Sequence, residues 1–307
     1  MRSLISTDDL TDTELHRLVV RGAEFAAHGP PAPGDRLPLA GRVAGMYFQL
    51  TSTRTRTAFG SAALRLGAGV IAYGPGDLQT NTGESAHDTG RVLGGMLDVL
   101  VARVGQPDST LREWAGTGMA VVNAMAEEEH PTQALTDLSA LWRRFGRIEG
   151  LRVLYLGEGN NTAAALALTL SRFPGVRFEL RTPPGYGLLP RVAARAAEHA
   201  ARSGAVVVER HDADDLPEDC DAIYTTRWQT TGTSKPDPAW RSVFAPFRVT
   251  ERLWRTSPKA LFLHDLPAHR GDEVTAAVLD GPASVAFEQA ATKACSAMAV
   301  LEWCLAG

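Results

Sequence analysis

The stretch Val43–Gly67, VAGMYFQLTSTRTRTAFGSAALRLG, constrains the fold more than any other part of the 307-residue chain. Val43 to Leu50 is rich in β-branched, aromatic and small apolar residues, the composition of a buried strand. Arg54 to Leu66 places apolar residues at helical spacing and meets Gly67, a C-cap signal. The turn between them, Thr51-Ser52-Thr53-Arg54-Thr55-Arg56, is almost all donors. The first-turn N–H groups of a helix have no intrahelical partner, and the helix dipole favours negative charge there. Hydroxyls and an arginine fork from Arg54 or Arg56 match phosphate oxygens. The plainer alternative is an N-cap flanked by two solvated arginines.

At this length about two domains are expected. A 44% hydrophobic and 21% charged composition is that of an ordinary globular protein, and a net charge of −4 leaves no nucleic-acid or membrane footprint. No apolar run approaches the roughly 18 residues needed to span a bilayer. MRSLISTDDLTD turns polar too early for a signal peptide. Cys220, Cys295 and Cys304 lack metal-ligand spacing and read as reduced thiols, so a cytoplasmic location is expected.

Strands and helices alternate along the chain. Leu10 to Ala27 is a helix capped by Thr11 with Glu14, and Gly29 to Gly41 is a Pro/Gly loop. Strands are expected at Val70–Ala72, Asp98–Arg103 and Ala120–Asn123, with helices at Glu84–Leu97, Ser109–Ala115 and Thr132–Phe145. The alternation restarts with strands at Leu151–Leu156, Val176–Leu180, Ala205–Val208, Asp221–Thr225 and Ala260–His264, and helices at Thr162–Ser171 and Phe287–Leu305. This pattern predicts an α/β protein with two doubly wound parallel-sheet domains. The expected bounds are 1–146, 147–286 and a C-terminal helix, 287–307, returning to the first domain. Ligands of such sheets sit beyond the carboxyl ends of strands. Ser52–Arg56, Arg103, His130–Gln133, Asn160–Asn161, Thr226–Gln229 and His264–Pro267 all fall there, which predicts an active-site cleft between the domains.

Each cluster also has a bland reading. His130 and Gln133 flank Pro131 at a helix mouth and suit an amide-like fragment, or a cap with a solvated Gln. Arg103 in isolation is an edge arginine, and Asn160-Asn161 in isolation cap a helix. Gly157-Glu158-Gly159 lacks the third glycine of a dinucleotide loop. His264-Asp265 has no histidine partner at HxH or HxxxH spacing, so no metal is expected. Leu266-Pro267 is a candidate cis peptide.

Ser52-Thr53-Arg54-Thr55-Arg56, Glu84-Ser85, Asp88-Thr89, Arg103, His130-Pro131-Thr132-Gln133, Asn160-Asn161, His264 with Leu266-Pro267, and the terminal helix stand in one order. That order resembles the aspartate/ornithine carbamoyltransferase family over nearly the whole chain. The resemblance implies carbamoyl phosphate and an amine as substrates, no metal or organic cofactor, and a homotrimer or multiple of trimers with active sites near subunit interfaces. It implies that Ser52, Thr53, Arg54 and Thr55 hold the phosphate. Arg103, His130 and Thr55 would polarise the carbonyl. Gln133 and the Leu266 backbone carbonyl would take the carbamoyl NH2, and Lys293 stands where the ornithine branch has an Arg near the anhydride.

The acceptor side departs from that pattern. Where the ornithine branch reads Asp-x-Trp-x-Ser-Met-Gly, this chain has Thr226-Arg227-Trp228-Gln229-Thr230-Thr231-Gly232. His-Cys-Leu-Pro has become His264-Asp265-Leu266-Pro267, the loop Lys before Glu84 is Gly83, and the Lys before the phosphate motif is Leu50. Thr226-Arg227-x-Gln229 resembles the aspartate branch, whereas Asn160-Asn161 and His269-Arg270-Gly271 resemble the ornithine branch. The aspartate branch's own Lys is Thr82 here, and no Arg follows Asn161. Asn161, Thr226, Arg227, Gln229, Thr230, Asp265 and Leu266 are therefore the expected amine-binding residues. Asp265 would orient the attacking ammonium and Arg227 a carboxylate. The expected activity is N-carbamoylation of an amine related to ornithine, such as a shorter diamino acid or a specialised-metabolite intermediate. Ornithine itself, aspartate, and an inactive scaffold are the alternatives.

Overall fold

The computed structural model describes residues 1–32, 34–230 and 232–306. Thr231 and Gly307, both part of the expectations above, lie outside the described residues. The chain divides into two compact units, Met1–Arg143 with Ala291–Gly307, and Arg144–Ala290.

The first unit begins with α1 (Asp12–His28), whose start is set by a capping box: Thr11 Oγ1 accepts from the Glu14 N–H, and the Glu14 carboxylate accepts from the Thr11 N–H. Then come β1 (Val43–Phe48), α2 (Arg54–Arg65), β2 (Gly69–Tyr73), α3 (Ala86–Gly94), β3 (Val99–Arg103), α4 (Ser109–Ala115), β4 (Ala120–Asn123) and α5 (Pro131–Phe145). All four strands are parallel, in the order β2-β1-β3-β4. Every residue of β3 is buried, as helices on both faces of a parallel sheet require. Two expected bounds are corrected. The strand Val43–Leu50 stops at Phe48. The helix Glu84–Leu97 is shorter, because Ser85 Oγ accepts from the Asp88 N–H and starts the helix at Ala86. Gly67 has φ +95, and a Cβ there would lie 2.7 Å from that of Leu37, so the turn after α2 admits only glycine.

The second unit contains β5 (Arg152–Leu156), α6 (Asn161–Leu170), β6 (Arg177–Arg181), α7 (Pro190–Ser203), β7 (Val206–Arg210), β8 (Ala222–Thr225), α8 (Trp240–Phe244), β9 (Leu261–His264), α9 (Ala276–Leu279) and the start of α10 (Ala286–Leu305). Its parallel sheet runs β7-β6-β5-β8-β9. α7 was not expected from the sequence; Pro190 opens it and Val192, Ala196, His199 and Ala200 form its buried stripe. From Ala291 onward α10 belongs to the first unit, where Arg21 pairs with Glu302 and the Arg2 N–H donates to the Cys304 carbonyl. Among the described residues no helix is long and apolar enough to cross a membrane.

Candidate active site

In the first sheet the chain leaves β1 for β2 on one side and reaches β3 on the other, so the carboxyl ends of β1 and β3 form its switch point. The Ser52–Arg56 turn follows β1, and Arg103 ends β3 in register with Phe48. Arg103 is buried in an interior strand, which corrects the edge-arginine reading. Thr53 stands at the N-cap of α2 with helical backbone angles and no side-chain cap bond. Ser52 Oγ is buried and makes no hydrogen bond among the described residues. Thr55 is buried in the first turn, Arg54 opens the helix, and Arg56 sits 5.2 Å over the Phe48 ring.

His130, Pro131 and Gln133 enter the same unit at the mouth of α5, and all three are buried, so Gln133 is not solvated. The Gln133 amide has a fixed orientation. Its Nε2 donates to Asp137 Oδ1 at 2.7 Å, and its Oε1 accepts from Lys293 Nζ at 2.5 Å. Lys293 Nζ also donates to Thr55 Oγ1 at 3.3 Å. One ammonium from α10 thus ties α2 to α5. Burial, with the charges of Lys293 and Arg103, holds His130 well below the ordinary histidine range. Its imidazole is neutral near pH 7, able to donate one hydrogen bond and accept another. The segment before it is anchored by Glu129, whose buried carboxylate accepts from the Ser6 hydroxyl and from the Thr7 N–H and hydroxyl. Two cations, a helix N-terminus and a neutral imidazole make a site for an anion bearing a polarised carbonyl.

In the second unit the switch point lies between β5 and β8. Asn160 Oδ1 caps α6 by accepting from the Thr162 and Ala163 N–H groups, while its Nδ2 donates to Thr230 Oγ1 at 3.1 Å. Asn161, buried, is the first residue of the helix. β8 and β9 are neighbours, so Thr226 and Asp265 leave the sheet side by side. Thr226 Oγ1 donates to both Asp265 oxygens, at 2.9 and 3.0 Å, and Thr162 Oγ1 donates to Oδ2 at 3.0 Å. Burial pushes the Asp265 carboxyl up, but His264, Thr226 and Thr162 outweigh it and hold it below the usual carboxylate range. His264 Nδ1 lies 3.4 Å from Asp265 Oδ1 and 2.8 Å from the Leu266 nitrogen, and Nε2 lies 3.2 Å from Glu273 Oε1. Both ring nitrogens are spent within the protein. The Leu266-Pro267 bond is cis.

Not every expected acceptor residue joins this cluster. Arg227 and Gln229 line a cavity of about 100 Å³ with Trp240, His269 and Asp272, and neither Thr226 nor Asp265 lines it. Gln229 Nε2 donates to the Thr233 carbonyl at 2.7 Å. Asp137, Glu129, Thr162 and Glu273 were not singled out in the sequence. Asp137 was findable, since it lies four residues beyond Gln133 on a helix. Thr162 and Glu273 carry no sequence signal. Gly159 has a packing reason rather than a dinucleotide one: a Cβ there would lie 2.3 Å from the Gly187 carbonyl carbon.

Two family models match the chain. Residues 2–143 match the carbamoyl-P binding domain of aspartate/ornithine carbamoyltransferase, and residues 149–304 match its Asp/Orn binding domain. The ornithine carbamoyltransferase of Parafrankia sp. is 35% identical over 305 residues, covering 99% of this chain and 96% of that protein. The solved ornithine carbamoyltransferase from Pyrococcus furiosus superposes with a TM-score of 0.92 at 34% identity, over 100% of this chain and 97% of that one. The crystal structure of ornithine carbamoyltransferase from Gloeobacter violaceus gives 0.86 at 33% identity, covering 100% of both chains.

Proposed function

This chain is a carbamoyltransferase of the aspartate/ornithine carbamoyltransferase family, and from that premise we propose that it moves the carbamoyl group of carbamoyl phosphate to the amine of an amino-acid-like acceptor. The observation that carries the reading is the cluster in the first unit. There Lys293 bonds Gln133 and Thr55, and burial together with the Lys293 and Arg103 charges keeps His130 neutral.

Ser52, Thr53, Arg54 and Thr55 hold the phosphate at the N-terminus of α2, with the Lys293 charge beside it. Arg103, His130 and the Thr55 hydroxyl donate to the carbonyl oxygen. The Gln133 Oε1 has a second lone pair for the carbamoyl NH2. A neutral amine adds to the carbonyl carbon, and negative charge collects on an oxygen that faces preorganised donors. The bond from carbon to the bridging oxygen then breaks. Phosphate leaves with the electron pair and takes the proton of the new amide nitrogen, so no separate base is needed. The second unit holds the acceptor through Asn161, Thr226, Thr230 and Asp265.

The names of the relatives favour ornithine as acceptor. A second reading rests on the hydrogen-bonded Thr226 and Asp265 pair. It puts the ammonium-binding carboxylate at the end of β9 rather than β8, which suits an amine other than ornithine, such as a shorter diamino acid. Phosphate release measured with carbamoyl phosphate and an amine panel, with the ureido product identified by mass, separates them. Fastest turnover with ornithine selects the first reading, and preference for another amine selects the second. No amine-dependent release from any acceptor refutes both.

We extend the reading to a homotrimer or a multiple of it. Leu64 on α2, Ile71 on the edge strand β2, Val92 on α3 and Met96 just after it are exposed apolar side chains that self-association would cover. Sedimentation equilibrium tests this, and a monomer at micromolar concentration refutes it.

A further inference from the structure

Lys235 lies in the connection between β8 and α8, the stretch that begins with Thr226 and Arg227. A lysine in a connecting loop ordinarily keeps its ammonium in water. This side chain is only 4% exposed. Its Nζ donates to Glu158 Oε1 at 2.5 Å and lies 4.5 Å from the Tyr186 ring centroid, 4.8 Å from Phe244 and 5.6 Å from Trp240. Three aromatic faces and one carboxylate around a cation form an alkylammonium receptor, in which the desolvated ring faces attract the positive charge. Here the chain's own ammonium fills it.

The walls come from separate parts of the unit. Glu158 follows β5, Tyr186 follows β6, and Trp240 and Phe244 belong to α8. Glu158 is held in turn, since its carbonyl accepts from the Tyr155 hydroxyl at 2.6 Å. Two residues on, Asn160 bonds the Thr230 hydroxyl of the same connection. Among the described residues the β8–α8 connection is therefore pinned to the β5–α6 loop through Thr230 and through Lys235. A lysine side chain loses rotamer entropy when its ammonium is held still. A box that offsets this can order a loop that has little regular structure of its own.

We infer that Lys235 is a positioning residue for the acceptor side: its ammonium, seated among Glu158, Tyr186, Trp240 and Phe244, sets the β8–α8 connection and with it the placement of Thr226 and Thr230. The inference deepens the proposed transfer reaction and rests on it only for its kinetic consequence. The same box defines a receptor for a small quaternary ammonium once Lys235 is truncated.

Hydrogen exchange of the full chain tests this without turnover. In Lys235→Ala and Lys235→Met the amides of 227–239 should exchange at least about tenfold faster than in wild type, while those of α5 are unchanged. Millimolar tetramethylammonium, which cannot be carbamoylated, should restore slow exchange in Lys235→Ala, and equal sodium chloride should not. If Lys235→Ala fails to fold, Lys235→Met, which keeps an apolar stem of similar volume, decides through the exchange rates. In turnover, the amine KM should rise about tenfold or more with the carbamoyl-phosphate KM unchanged. Wild-type exchange in both variants, or restoration by sodium chloride as strong as by tetramethylammonium, overturns the inference. If wild type carbamoylates no amine, the transfer reading fails while the exchange result still judges Lys235.

Discussion

Replacing Lys293 with Met should separate ligand binding from folding. Lys293 is 3% exposed and spends hydrogen bonds on Gln133 Oε1 and Thr55 Oγ1. A unit charge about 4 Å from one phosphate charge gains about 4 kcal/mol at an effective dielectric of about 20, before desolvation is counted. The net value of a charge-assisted hydrogen bond, about 1.5–3 kcal/mol, is the better measure. At about 1.4 kcal/mol per decade, Lys293→Met should weaken a carbamoyl-phosphate isostere such as phosphonoacetamide by roughly 10- to 150-fold. Folding responds differently. Burial of an ammonium costs several kcal/mol, and a methionine of similar volume removes that cost together with the two bonds. The ligand-free protein should therefore change in stability by less than about 1.5 kcal/mol. His130 supplies an independent reading, because the Lys293 charge is one cause of its lowered pKa. In the variant its pKa should rise toward the ordinary histidine value. Calorimetric titration with phosphonoacetamide and an NMR pH titration of His130 measure the two effects. A Kd within about twofold of wild type, with unmoved His130, would refute the argument.

Four further outcomes are expected. Arg54→Ala should abolish detectable use of carbamoyl phosphate in a phosphate-release assay with its melting temperature nearly unchanged; near-normal turnover would remove the phosphate site from α2. Asp265→Cys should reorder the acceptor preferences in the amine panel, and an unchanged profile would strike Asp265 from the selectivity argument. Because the Asp265 carboxyl is held below the ordinary carboxylate value of about 3.9, its stabilising contribution is present above that pH and lost as pH falls through its lowered folded value. Urea midpoints of Asp265→Asn should thus fall less steeply with acid than those of wild type. Gly159→Ala places a methyl against backbone atoms of Gly187 and Leu188, at 2.3 and 2.4 Å, and should cost about 1–3 kcal/mol in a thermal melt.

The strand positions were legible because parallel strands covered on both faces read as short apolar runs, and β3 and β8 are buried throughout. The Ser52–Arg56 turn was legible because a strand, a run of donors and a helix start occur consecutively. α8 and α9 were not, since helices of 5 and 4 residues give no periodicity. Pairings between distant segments were equally hidden. Nothing near Lys293 announces Gln133, 160 residues away, and the meeting of Thr226 with Asp265 depends on the adjacency of β8 and β9. The resemblance of Thr226-Arg227-x-Gln229 to the aspartate branch placed Arg227 and Gln229 with Asp265. Arg227 and Gln229, with Trp228 between them, instead line another cavity beyond the end of β8, a placement set by an irregular connection rather than by a periodic element. The ring-and-carboxylate box around Lys235 draws its walls from two connections and the helix α8, and no local pattern encodes it.

The most direct test of the central claim follows the carbamoyl carbon itself. Carbamoyl phosphate labelled with ¹³C is mixed with the full-length protein and the preferred amine of the panel, and the ¹³C spectrum is recorded over time. The account predicts that the label passes from the mixed anhydride to a ureido carbon at a rate proportional to protein, and that Arg54→Ala removes this signal. Label that appears only in the products of spontaneous carbamoyl-phosphate breakdown, at the rate seen without protein, would contradict it.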